Sequence, residues 1–365
     1  MKISKESKIK LKWELIDLSY IIMSALGALI FGGLFILLLG SNPFEAYGIM
    51  FAKAFSSFGQ VLRRSTVYIM TGLAVAIPAK TGTFNMGGEG QVAAGALAAA
   101  IVGSSLTLPS TIHPIICILV ACSVGALLAS IPALMKLKFG SSEVVSSVML
   151  NYITLYLLQY LTMYTFRGSD QTPQTAAVFD SARIPRAFGN AQWSYGLFIA
   201  IAMCVLFYYI FKKTKIGLEM KSAGLNPLAS KYQGVNVGLH AVLAMVLGGV
   251  MAGMGGALEV LGGRYLYLDS YFTNYGYDGI AVAYMARNNP FAILFSSFLI
   301  STLKVGAIAM DRQTNVSNHF ATVLQGMIIV LLVTPYLMKW GVAKIKALRH
   351  LRKQRKVRIT FSRED

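Results

Sequence analysis

Long apolar runs separated by short polar clusters make up most of this chain. Ten follow one another, at residues 18–39, 62–79, 87–102, 114–135, 144–164, 194–211, 239–261, 276–286, 291–310 and 320–338. A helix needs about 20 apolar residues to cross the hydrocarbon core of a bilayer. Most of the runs meet that length, and the third and eighth are short. None alternates apolar and polar residues as a membrane-barrel strand does. The pattern predicts an all-α polytopic membrane protein with about ten transmembrane helices.

Composition agrees. The chain has 365 residues, 55% hydrophobic and 13% charged, whereas soluble domains carry about 25% charged residues. The net charge of +18 does not point to nucleic acid, because the basic residues flank the apolar runs, where the positive-inside rule and anionic lipid place them. With the N-terminus inside and ten crossings, the inner segments hold roughly three times as many Lys and Arg as the outer ones. Both termini are therefore expected in the cytoplasm. The expected organisation is a basic N-terminal segment 1–17, a membrane domain 18–338 containing an internal cytoplasmic loop 212–237, and a basic tail 339–365. The tail reads as an anchor on membrane lipid. The largest outer loop is 165–193. The first apolar run, about 22 residues long, exceeds a signal-peptide core and lacks a small-residue cleavage site after it.

The chemistry of enzymes is missing. Cys117, Cys122 and Cys204 lie in apolar runs with neither zinc-ligand nor disulfide spacing. The four histidines are scattered, and no catalytic set, metal site or cofactor site emerges. No Gly-Lys dipeptide occurs, so the chain has no P-loop. Energy for any transport comes from a partner or from an ion gradient.

The loop 212–237 is the most informative segment. Asn226 suits an N-cap, Pro227 the first helical position and Gly234 the position past the C-terminus. A helix of about two turns lies between them, with Leu228 and Tyr232 on one face. So short a helix is not stable alone in water. It either docks a soluble partner or rests as a linker on the membrane surface.

A second signal precedes the third run: Thr83-Phe84-Asn85-Met86-Gly87-Gly88-Glu89-Gly90-Gln91. Glu89 is a carboxylate at or within the membrane, by default a functional candidate. Either Asn85, Glu89 and Gln91 help form a translocation path, or Asn85 caps the helix and Glu89 answers its dipole. Glu143 is a cap, a partner contact or a gating charge, and Asn151 lies deeper, where it could face the path. Gly249 and Gly253 suit close helix packing, while Glu259 reads as reaching headgroup water. Asp278 either caps a short helix or sits where that helix's N-terminus faces the route. Lys304, inside a span, needs a partner or a wet face. Tyr265, Tyr267, Tyr271, Tyr275 and Tyr277 form either an interfacial aromatic belt or a stacking surface for a base.

These segments carry a resemblance. The stretch Thr214–Asn236 is similar to the cytoplasmic coupling loop of ABC importer permeases, in the branch serving simple sugars, branched-chain amino acids and nucleosides. Phe84–Gln91 looks like the Phe-Asn-x-Gly-x-Glu-Gly-Gln motif of the nucleoside-type permeases, and Glu143–Tyr152 and Gly276–Ala283 resemble softer family patterns. The loop lacks the Glu-Ala-Ala form known from other ABC importers. The resemblance implies that Gly217, Gly224, Asn226, Pro227, Leu228, Tyr232 and Gly234 contact an ATP-binding cassette subunit, and that Asn85, Glu89, Gln91, Asn151 and Asp278 belong to the substrate path. It further implies a second, homologous permease subunit in a heterodimer and an extracytoplasmic solute-binding lipoprotein. The implied cargo is a nucleoside, of the purine class. A pentose importer is the alternative. An ion-coupled secondary transporter is permitted by Glu89, Asp278 and Lys304, but leaves the capped two-turn helix unexplained.

Overall fold

The computed structural model describes residues 27, 29–38, 40–168, 172–188, 192–314 and a scatter of positions between 317 and 330. The expected N-terminal segment 1–17 and tail 339–365 lie outside the described residues, as do parts of the first and tenth runs. The elements are α1 (Leu29–Leu38), α2 (Pro43–Ser56), α3 (Phe58–Ala79), α4 (Gly88–Ser105), α5 (His113–Phe139), α6 (Glu143–Tyr160), α7 (Gly196–Lys213), α8 (Lys215–Leu225), α9 (Pro227–Tyr232), α10 (Val237–Glu259), α11 (Tyr275–Met285) and α12 (Pro290–Gln313). Single π-helical turns extend α6 over Leu161–Thr165 and α10 over Val260–Arg264. Among the described residues the only β-type pairings are two isolated bridges, Gln174–Leu268 and Arg186–Ser194.

Among the described residues five helices are long and apolar enough to cross a membrane: α5, α6 with its π-turn, α7, α10 with its π-turn, and α12. α3 and α4 are comparably long, at 22 and 18 residues, but carry Arg63 and Arg64, or Glu89 and Gln91. They tolerate this because other helices surround them. Every residue of α3 from Ser65 to Pro78 is buried, and such a helix need not be apolar toward lipid. The helix α2 was not anticipated. Its fourteen residues include Glu45 and Lys53, too short and too charged for a spanning pattern.

The chain forms two compact units, residues 1–48 with 310–365, and residues 49–309. In the first, the Tyr47 hydroxyl donates to the Leu29 carbonyl at 2.8 Å, and the Phe35 and Phe320 rings stack with centroids 6.1 Å apart. The second holds the candidate site. Its centre is α10, packed against α5, α3 and α4. Small residues permit this. A Cβ on Gly249 would strike the Gly125 carbonyl, one on Gly253 the Ala121 carbonyl, and one on Gly256 the Val92 carbonyl. Backbones approach so closely only where side chains are absent.

The turns gather at two ends. At one, Gly224 packs on Lys80 and Gly82, and Gly238 meets Leu137. At the other, backbone hydrogen bonds tie 175–184 to the 103 and 261–267 regions: Phe179 N–H to Gly103 at 2.9 Å, Ile184 N–H to Leu261 at 2.9 Å and Thr175 N–H to Tyr267 at 2.9 Å.

Candidate functional site

The segment from Thr81 to Gln91 is folded by its own polar side chains. The Thr81 and Thr83 hydroxyls lie 3.0 Å apart and both donate to the Pro78 carbonyl, at 2.8 and 3.1 Å. Pro78 sits in the last turn of α3, where helix carbonyls lack intrahelical donors. Asn85 is fully buried. Its amide nitrogen donates to the Gln91 side-chain oxygen at 2.9 Å and to the Ala74 carbonyl at 3.3 Å. Its oxygen accepts from the Gln91 amide at 3.1 Å and from the Gly87 backbone at 3.0 Å. Asn85 is therefore not the N-cap of α4, which is Gly87. It braces the turn from two positions upstream. The Asn85–Gln91 amide pair gives both buried side chains hydrogen-bond partners.

Asn151 joins α6 to this loop. Its oxygen accepts from the Gly90 N–H at 2.9 Å and its nitrogen donates to the Met86 carbonyl at 2.7 Å. Both contacts lie on the buried side of α6, with Ser147, Thr154 and Leu158.

Glu89 caps a helix other than its own. Its carboxylate accepts the backbone N–H groups of Asn274, Gly276 (2.7 Å) and Tyr277 (3.4 Å), at the start of α11. Those amides have no partner within their helix, and the positive end of its dipole favours an anion. A Cβ on Gly276 would collide with the Glu89 backbone, so the two helix starts touch. Eleven residues give α11 a length of about 16 Å, half a bilayer core.

Asp278 follows in the first turn of α11. It accepts from the Tyr68 hydroxyl at 2.9 Å and pairs with Lys304 of α12 at 3.1 Å, which supplies the partner the sequence left open. Glu259 does not reach headgroup water. It is 1% exposed, lies 3.5 Å from Arg63 and accepts from the Tyr271 hydroxyl at 2.8 Å. The tyrosines of 265–277 turn onto their own protein: Tyr275 against Tyr68 at 5.2 Å, Tyr267 stacked on Phe272 at 5.5 Å, and Tyr271 beneath Arg264 at 4.2 Å. Glu143 pairs with Lys136 at 2.5 Å, closing the α5–α6 turn.

At the Gly224 end, α8 doubles back on α7, a helix the sequence did not announce. Gly217 packs against the Ile210 carbonyl, and Lys221 donates to the Phe211 carbonyl at 2.6 Å. Gly224 reaches the Lys80 carbonyl so closely that a Cβ would strike it. Burial, with a smaller push from Lys221, holds the Lys80 ammonium below its ordinary pKa. The short helix then forms as its caps predict. Asn226 accepts from the Ala229 N–H at 3.1 Å, Pro227 begins α9, and Gly234 follows at φ +82°. Ser230 is buried, while Leu228 and Tyr232 are 72% and 92% exposed. A cavity of about 210 Å³ opens nearby among Thr83, Lys136, Glu143 and Gly238.

Two segments that are separate signals in the sequence thus form one continuous structure. The α8–α9 segment touches the 80–82 turn through Gly224. That turn runs into the loop 83–91. The loop holds α6 through Asn151 and α11 through Glu89.

A family profile described as the permease component of the branched-chain amino acid transport system matches residues 57–333. The chain belongs to that family. It is similar to the guanosine ABC transporter permease NupP of Bacillus subtilis, at 31% identity over 86% of this chain and 92% of that one. The nucleoside ABC transporter permease NupB of Lactococcus lactis is 30% identical over 87% of this chain and 91% of its own. The glucose ABC transporter permease TsgB13 of Haloferax volcanii is 30% identical over 87% of each. This chain is accordingly a polytopic permease subunit of an ABC transporter in the cytoplasmic membrane, and not itself an enzyme. Hydrolysis of ATP falls to a partner subunit, and the family works with solute-binding proteins.

Proposed function

We propose that this permease imports nucleosides, of the purine class, and that α9 with its flanks is the surface gripped by the partner ATPase. The observation that carries the coupling role is the exposed pair Leu228 and Tyr232 on a fully capped, six-residue helix. Two large side chains held out on a rigid knob suit a docking pocket on another protein. Movement there reaches the membrane helices by the route Gly224, Gly82, loop 83–91, and then Asn151 and Glu89. Asn85 and Gln91 act as the brace of that loop, and Asp278 anchors α11 to Tyr68 and Lys304. Gly217 and Gly234 set the entry and exit of the coupling segment, from Lys212 to Val237.

In the full protein we place about ten spans with both ends in the cytoplasm, the basic 339–365 tail on lipid, and a second, homologous permease subunit beside this one. An extracytoplasmic lipoprotein delivers the solute. The nucleoside reading rests on the guanosine and nucleoside permeases among the relatives. The glucose permease of equal identity keeps a simple sugar as the second reading. Uptake of labelled guanosine by cells carrying the whole importer, challenged with excess adenosine, ribose or glucose, separates them. Competition by adenosine alone is expected, and competition by ribose or glucose alone overturns the nucleoside assignment.

A further inference from the structure

One face of α6 carries a line of tyrosines: Tyr152, Tyr156, Tyr160 and Tyr164, spaced four apart and 55%, 70%, 58% and 74% exposed. Residues four apart on a helix lie one above the other. The Tyr160 and Tyr164 rings are in contact, with centroids 5.1 Å apart. Among the described residues none of the four hydroxyls has a hydrogen-bond partner.

Depth makes this unusual. At 1.5 Å per residue, Tyr152 and Tyr156 stand about 14 and 20 Å from Glu143, at the α6 end nearer the coupling segment. That is well inside a hydrocarbon core about 30 Å thick. Tyrosine is favoured where a bilayer meets water, which accounts for Tyr164 and not for Tyr152 or Tyr156. A phenol hydroxyl held in hydrocarbon without a partner is costly. The neighbouring span supplies the contrast. The exposed large residues of α5 from Ile115 to Leu134 are aliphatic, with Leu119, Leu127 and Ile131 among them, as lipid requires. α6 is also the least apolar of the five clear spans, although about a fifth of its most apolar stretch is buried, the same share as in α5. The tyrosines share that face with the exposed Val145, Met149, Ile153 and Leu157, so what sets α6 apart from α5 is the line of phenol hydroxyls at this depth.

We infer that Tyr152, Tyr156 and Tyr160 line the water-filled translocation route and stack on the flat, hydrogen-bonding solute as it passes. This rests on the reading of the chain as a nucleoside importer. Water and solute satisfy the hydroxyls, and the rings offer π-faces that accept any base. The opposite side of the same helix is held by the loop 83–91 through Asn151, one residue from Tyr152. A shift of that loop moves the tyrosine line directly.

The test uses the complete importer in proteoliposomes, with Cys117, Cys122 and Cys204 replaced by alanine. Tyr156→Cys and the control Ile131→Cys are exposed to a charged, membrane-impermeant thiol reagent on both sides. Tyr156→Cys is expected to react at least about tenfold faster, and guanosine to slow it. Equal reactivity in importers that still take up guanosine overturns the proposal, whether lipid or the second permease covers the face. Fast reaction slowed by glucose and not by guanosine upholds the wet tyrosine line and overturns the nucleoside reading. Should Tyr156→Cys not assemble, uptake kinetics decide. Tyr156→Phe is expected to keep the guanosine KM and Tyr156→Leu to raise it about tenfold. An unchanged KM in Tyr156→Leu overturns the proposal.

Discussion

α10 and α6 both traverse the bundle, and they are fastened in opposite ways. Three-fifths of the most apolar stretch of α10 is buried, against about a fifth for α6. α10 is seamed to α5 and α4 by backbone against backbone at Gly249, Gly253 and Gly256. α6 is attached to the loop 83–91 by two hydrogen bonds from a single side chain, Asn151. A close-packed seam has no alternative arrangement nearby. Hydrogen bonds from one amide can be exchanged at modest net cost, since each contributes only about 0.5–1.5 kcal/mol. The contrast makes α10 the tightly seamed frame and α6 the weakly fastened helix.

Gly253→Val should break the frame. Its Cβ would strike the Ala121 carbonyl, and overpacking on the order of 3 kcal/mol or more should leave little monodisperse permease after extraction. Normal yield and melting temperature would show that the seam gives. Asn151→Leu removes the attachment of α6 while leaving α10 untouched. It strands a donor and an acceptor, at about 1–3 kcal/mol each. Melting should drop by several degrees, and uptake should fall by more than the loss of protein explains. Loss of uptake only in proportion to protein would make Asn151 a packing residue alone. Glu89→Gln keeps an acceptor for α11 and removes the charge, at about 1 kcal/mol. Membrane protein levels should hold while uptake declines, and unchanged uptake would leave Glu89 as a helix cap only. The smallest structural effect is expected from Asn226→Ala, about 1 kcal/mol confined to α9. Melting should stay constant while co-purification with the partner ATPase weakens. A shifted melting point instead would mean that α9 belongs to the frame.

The sequence made the spans visible because membrane length and apolarity are one-dimensional properties. The expected run 62–79 appears as Phe58–Ala79, and 194–211 as Gly196–Lys213. Capping chemistry is just as local, so Asn226, Pro227 and Gly234 take the positions that their side chains dictate. What was not legible is long-range pairing. The carboxylate of Glu89 meets amides 185 and more residues away, and nothing in either segment encodes the other. The Lys304–Asp278 pair was half visible, since a lysine inside a span demands compensation without naming it. Arg63 with Glu259 was missed because each lies near the end of its run, where a charge reads as solvated. α8 escaped because its eleven residues are too polar for a span and lack a C-terminal glycine outside the helix. The tyrosine line was readable at spacing four, but its meaning depends on which side of α6 the protein leaves uncovered.

Gly82 and Gly224 leave a consequence for how this chain can change over time. Two backbones meet there with only hydrogen atoms between them, so in the coupling role proposed above a step of the motor would arrive with almost no slack. The same tightness forbids variation at Gly224, since the smallest added group would wedge the parts apart. Drift in this segment is therefore confined to Leu228, Tyr232 and their exposed neighbours, where, under the proposed coupling role, a change would alter the fit to a motor without altering the contact behind it.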